Sequence, residues 1–332
     1  MSNPSPDFDD EQTRYGSFNF LDERAAPSLY RNGKVLTRRD PDGSDGGTEG
    51  VNREKHTLAV YNARLLPVTD RKTCEAHGFE LLHRPLDDDS LDFLEHQNVI
   101  KNYYPQCEQI VATATGAKAF AFDHNIRSAL GKRSKQRITG GQQVQGPAHM
   151  VHGDYTLYSA PQRLKDLANP PGGNDTLASV LPAGQSLIPP STVESVMQDG
   201  RRFAIINVWR SIADEPVQTD PLALCDGQTV EPQDLVVFEI HYQDRIGENY
   251  FAKYSDKHRF YFYPDMVRDE AMLIKQWDSF GPLAQSDGAK ADSAVSGAPC
   301  TFSFHTAFED LSVPDDAPDR WSIEVRCLVI YP

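Results

Sequence analysis

At 332 residues, with 39% hydrophobic and 24% charged residues, the chain has the material of an ordinary folded protein, enough for one large domain or two small ones. Its formal charge of −15 and pI near 5.1 argue against nucleic acid or an anionic membrane surface as a partner, because both would meet long-range repulsion. Five scattered cysteines without C-x-x-C spacing exclude a recognisable zinc knuckle and point to a reducing, cytoplasmic setting, in keeping with the lack of a basic-then-apolar leader and of any run of about 18 apolar residues.

Residues 1–56 are polar and turn-rich, most of all between Asp40 and Gly47. They are expected to form an extended, partly flexible N-terminal arm that lays Tyr15, Phe18, Phe20 and Leu21 on a single domain spanning 57–332. From Thr57 the texture changes. Leu58–Ala63 and Phe79–Leu82 read as strands around a helical turn at Thr73–Ala76, and Ser90–Thr115 has helical spacing, with Phe93, Val99, Tyr103, Cys107 and Ile110 on one stripe and Gly116 as the stop. Ala119–Asp123 is a strand, 140–147 a loop, and Pro161–Ala168 a short helix; 169–174 and 182–190 are irregular, and with 285–299 they are candidate lids. The second half is dense in short β-rich runs at 202–210, 235–240, 250–254, 260–263, 302–307 and 321–330, with one more helix expected at Asp269–Trp277. The whole predicts a mainly β protein with flanking helices around a jelly-roll barrel.

Between the 140–147 loop and the next helix lies Val151-His152-Gly153-Asp154-Tyr155-Thr156. On a strand, side chains at i and i+2 share a face, so His152 and Asp154 present an imidazole and a carboxylate together. Alone, the pair is more often a strand-end histidine beside a solvated aspartate. His305, 151 residues beyond Asp154 in an apolar run, changes its meaning, because two histidines and one carboxylate form the facial set of non-haem Fe(II) oxygenases and leave three iron positions open. His149 is three residues from His152 and therefore off its face.

A 2-oxoacid that chelates such an iron leaves its second carboxylate pointing away, and a buried carboxylate needs a forked cation. Arg320 and Ser322, two apart at the start of the last strand, suit that role, and Arg326 shares their face with Glu324 between them. Trp321, Ile323, Val325 and Cys327 alternate with them and should be core. Two plainer readings stand beside these: Arg320 as a strand cap, and Arg326 as the partner of Glu324.

The 151–156 block, Ile206-Asn207-Val208-Trp209-Arg210, Phe262-Tyr263-Pro264-Asp265-Met266 with Trp277-Asp278-Ser279, Phe304-His305-Thr306-Ala307-Phe308 and the segment from Arg320 to Arg326 recur together, in this order, in one group of enzymes. From about Thr57 to the C-terminus the chain resembles the fungal non-haem Fe(II)/2-oxoglutarate-dependent hydroxylase/desaturase family, which includes gibberellin-desaturase-like and CmcJ-related enzymes and the endoperoxygenase NvfI. The resemblance implies a double-stranded β-helix (a cupin-like jelly roll) that uses Fe(II), 2-oxoglutarate and O2. In it, His152, Asp154 and His305 hold the metal, and Arg320, Ser322 and Arg326 lie at the co-substrate. Trp209, Arg210 and Tyr155 are further candidates for facing co-substrate or substrate. It further implies oxidation of an aliphatic C–H in a small-molecule substrate, a terpenoid, meroterpenoid, polyketide or alkaloid, by hydroxylation, desaturation or related radical chemistry. A homodimer is expected only from the commonness of two-fold assemblies. The alternative from another class is a cupin-type jelly roll that binds metal and small molecules without catalysis; a buried cation at the Arg320 position separates the two, since a plain metal-binding barrel has no use for it.

Overall fold

The computed structural model describes residues 12–39, 45–172, 175–242, 245–314 and 316–332; the expectations for residues 1–11 and 40–44, and for Gly173 and Asn174 in the 169–174 insertion, lie outside them. Its strands are, in chain order, β1 (Thr13–Leu21), β2 (Leu36–Arg39), β3 (Asp45–Glu49), β4 (Arg53–Asn62), β5 (Phe79–His83), β6 (Lys118–Arg127), β7 (His152–Gly153), β8 (Phe203–Ser211), β9 (Leu222–Cys225), β10 (Leu235–His241), β11 (Ile246–Ala252), β12 (Phe260–Phe262), β13 (Glu270–Asp278), β14 (His305–Ala307), β15 (Glu309–Asp310) and β16 (Ser322–Ile330). They form two sheets. The larger runs β15-β1-β4-β12-β9-β14-β7-β11-β10-β2-β3, and the smaller, antiparallel throughout, runs β5-β13-β8-β16-β6. The fold is the expected jelly roll, mostly β with few helices.

The first 56 residues carry β1, β2, β3 and the start of β4. β1 pairs with β4 over its whole length, from Thr13 opposite Tyr61 to Leu21 opposite Arg53, and buries Phe18, Phe20 and Leu21. Phe18 stacks on Phe308, at 5.5 Å between ring centroids, which ties the N-terminal strand to the segment after β14.

The helix expected from Ser90 begins later, at His96, passes through a π turn at Val99–Tyr103 and continues over Tyr104–Thr115 to Gly116, whose φ of 67° is the left-handed stop. It packs on β6, β16 and β8. This is why β8 is buried along its full length, with the helix on one face and the other sheet beyond the opposite one.

One element differs in kind. Asp269–Trp277 is not a helix; it is most of β13, between β5 and β8. Met, Leu, Ile, Lys and Gln favour helix in isolation, but a strand buried on both faces loses its polar alternation and shows the same continuous apolar run as a short buried helix. β13 also carries a buried ion pair: Lys275 Nζ sits 2.9 Å from Asp278 Oδ2, and Arg202 donates to the same carboxylate. Asp278→Ala is expected to cost about 3–5 kcal/mol, because it strands the buried Lys275 ammonium with only the exposed Glu75 nearby. Urea unfolding midpoints of the two proteins check it.

Candidate metal centre

His152 is the first residue of β7, a two-residue strand held between β11 and β14. Across the ladder it lies directly opposite His305 on β14 and Phe251 on β11. The two imidazoles meet with ring centroids 4.4 Å apart. Asp154 follows on the same face, its Oδ1 3.6 Å from His152 Nε2. The residue between is crowded: a Cβ at Gly153 would come within 3.1 Å of the Phe302 ring, which would have to give by a few tenths of an ångström. Candidate ligand atoms of His152, Asp154 and His305 all lie within 4.8 Å of one another, and among the described residues this is the only cluster of its kind.

The electrostatics suit a divalent cation. Burial pushes His152 down to about 4, helped by His305 and opposed by Asp154, and burial lowers His305 as well, so both imidazoles are neutral bases. His152 Nδ1 donates to the Met150 carbonyl at 2.7 Å, which fixes the tautomer and leaves Nε2 free to ligate. Burial alone would raise the Asp154 carboxyl; Arg326, the two histidines and a hydrogen bond from Asn207 overcome it and hold the group well below the usual carboxylate range.

The wall of the centre comes from β6, β16 and β8, whose inward side chains form a grid set by strand register. Arg127, Ser322 and Ser211 make the first row, Asn125, Glu324 and Trp209 the second, and Asp123, Arg326 and Asn207 the third. The cavity beside the two histidines and Asp154 is bounded by Arg127, Trp209, Glu324 and Arg320, with Leu222 and Ala307 as apolar wall. Arg320 lies over Trp209, its Cζ 5.8 Å from the ring centroid. Its Nη1 donates to the Asp220 carbonyl, its Nε is buried without a partner, and burial, only partly offset by Asp220, lowers it to about 10. It is a buried cation short of a counter-anion. The Ser322 and Ser211 hydroxyls, adjacent in the first row, are also buried and unpartnered.

The remaining candidates lie elsewhere. Arg326 is not among the cavity-lining residues; its guanidinium reaches Asp123 at 2.8 Å and Asp154 Oδ2 at 3.4 Å, behind the candidate ligand. Arg210 alternates with Trp209 and so points to the helix side, where it donates to Tyr103 Oη at 3.0 Å and to the Arg268 carbonyl. Tyr155 is buried outside the cavity lining. His149 is partly exposed, 3.4 Å from Asp220.

Arg127, Ser211, Glu324 and Asn207 were absent from the sequence-derived set, with Glu324 noted only as a neighbour. Their signal was present as period-two polar positions in apolar strands, at Asp123/Asn125/Arg127 and Asn207/Trp209/Ser211.

Donor set and tautomer describe a cluster that could hold a divalent metal, beside a cavity whose wall carries a buried cation short of a counter-anion. The chain is 45% identical over 195 residues to an uncharacterised protein in the dcmA 3′ region of Methylophilus leisingeri, covering 58% of this chain and 88% of that one. It is 27% identical to the α-ketoglutarate-dependent dioxygenase tstK of Talaromyces stipitatus over 88% of this chain and 91% of the relative. A solved structure of the iron and α-ketoglutarate-dependent endoperoxidase NvfI has the same fold, with a TM-score of 0.70 at 23% identity, covering 97% of this chain and 99% of that one. Among the described residues no helix is long and apolar enough to cross a membrane. A family profile described as oxidoreductase/YMDC permease-like domain matches residues 18–330, nearly the whole chain, and the protein belongs to that family.

Proposed function

We propose that the protein is an Fe(II)/2-oxoglutarate-dependent dioxygenase in which His152, Asp154 and His305 hold the iron and Arg320, with the first row of the grid, holds the far carboxylate of 2-oxoglutarate. The observation that carries the reading is the unpaired cradle. A buried guanidinium lacking an anion is costly in a protein that keeps it only for packing, and a carboxylate in the cavity would supply the missing partner, with the unpartnered Ser322 and Ser211 hydroxyls beside Arg127 in register as further donors. The same observation weighs against a non-catalytic metal-binding barrel.

Two neutral imidazoles and one carboxylate suit Fe(II) and leave positions for a chelating 2-oxoacid and dioxygen. When bound, iron with 2-oxoglutarate and O2 supplies the oxidising power to break an aliphatic C–H bond. The chain's own residues do the rest. Arg320 and Arg127 neutralise the distal carboxylate, Ser322 and Ser211 donate to it, and Arg326 with Asp123 anchors Asp154 from behind. Trp209 and Leu222 give the cavity an apolar side that keeps water out and suits a hydrocarbon-rich scaffold. Relatives named as hydroxylase/desaturase and as endoperoxidase support oxidation of a secondary metabolite by one of these routes. Five buried thiols support a reducing, cytoplasmic setting.

The test is spectroscopic. Anaerobic protein with Fe(II) and 2-oxoglutarate is expected to develop a visible charge-transfer band and, once air is admitted, to consume 2-oxoglutarate. A colourless mixture at saturating ligand would count against the reading.

A further inference from the structure

Asn207 stands on β8 in the third row of the grid, fully buried. Its Nδ2 donates to two carboxylates at once, Asp154 Oδ2 at 3.1 Å and Glu324 Oε1, while its own Oδ1 is buried and accepts nothing. The side chain is therefore used for its pair of N–H groups alone. Arg326 Nε approaches the same Asp154 Oδ2 at 3.4 Å. The other carboxylate oxygen, Oδ1, is the one facing His152 Nε2. The Asp154 backbone is held as well, its N–H donating to Gln276 Oε1 on β13 at 3.1 Å.

We infer that Asn207 is a positioning residue that commits Asp154 Oδ2 to the protein and leaves Oδ1 alone for the metal. A carboxylate can grip a cation through one oxygen or both, and a two-oxygen grip occupies a position that the chelating co-substrate or dioxygen needs. Swinging Oδ2 to the metal would break charge-assisted bonds to Asn207 and Arg326 in a buried site, where such bonds are strong. A neutral carboxamide suits the task, because it satisfies two neighbouring carboxylates without adding a charge that competes with the metal. Through its second N–H, Asn207 also couples the ligand to Glu324 in the cavity wall. The inference rests on the reading of His152, Asp154 and His305 as metal ligands.

The experiment uses the full chain, stripped of metal, titrated with Mn(II) and followed by the electron paramagnetic resonance of the free ion. Wild type is compared with Asn207→Ala and with Asn207→Leu, which keeps the shape of the side chain and suits a buried strand. The dissociation constant is expected to rise about 10–100-fold in both variants. The gain in melting temperature on adding Mn(II) should shrink with it, and a merely structural role would leave that gain unchanged. A folded variant with wild-type affinity and a wild-type gain overturns the inference, as does failure of both variants to fold. If wild type itself binds no Mn(II), the metal reading fails and takes the inference with it; if wild type binds and the variants bind equally, the inference fails alone.

Discussion

His152→Ala is expected to abolish turnover and the anaerobic charge-transfer band together while leaving the far-UV circular dichroism intact. As the proposed ligand, His152 stands on a strand only two residues long, so no neighbour on β7 can replace it. His149 is turned towards Asp220 and cannot rescue the site. Loss of a partner behind a ligand costs about 10–100-fold in metal affinity, and loss of the ligand itself should cost more than that. The same result is expected for His305→Ala, because the two imidazoles face one another in register across β7 and β14. Persistence of the band in either variant would move the ligand assignment.

The second large effect is expected at Arg320. Arg320→Leu removes the buried cation opposite the distal carboxylate, and truncating one member of such a pair costs about 2–5 kcal/mol, which corresponds to at least ~30-fold in the KM for 2-oxoglutarate. Arg320→Lys keeps the charge and loses the fork, and should fall between the two. A control follows from the chemistry: a 2-oxoacid without the distal carboxylate gains nothing from Arg320, so the preference for 2-oxoglutarate over it should collapse in the leucine variant. An unchanged preference would assign the distal carboxylate to Arg127, the other guanidinium in the cavity wall.

Glu324 ties these two halves of the centre together. It lies in the row between Arg127, Ser322 and Ser211 and the residues that hold Asp154, and burial, reinforced by Asp154, raises its carboxyl above the usual range. Arg127 and Arg326 oppose that shift. The wall of the cavity is thus a balanced polar layer on the inner face of an otherwise apolar sheet, and its charges are set by strand register.

The cluster of His152, Asp154 and His305 was partly legible in the sequence because strand geometry is local. His152-x-Asp154 shares a face wherever a strand forms, and His305 lies in an apolar run that calls for a strand. Period-two alternation likewise separated Ser322, Glu324 and Arg326 from Ile323, Val325 and Cys327, and the latter three are fully buried. The same alternation carries Trp209 and Arg210 to opposite faces, so only Trp209 of the two lines the cavity.

Register between strands far apart in the chain was decided only by the tertiary structure. Which residues of β6 and β8 stand beside Ser322 depends on how three strands align, and it is this alignment that sets Arg127 and Ser211 next to Ser322 and Asn207 next to Arg326. Arg326 shows the limit most plainly: its face was correct, yet Asp123 and Asp154 claim its guanidinium, and neither contact follows from the order of residues on one strand. β13 shows it for secondary structure, since a strand between two others is paid in ladder hydrogen bonds and burial on both faces, which outweigh the helical preference of its residues. Local strand geometry placed His152 and Asp154 on one face and marked His305 as a strand residue; packing of the two sheets decided that the three meet and which side chains surround them.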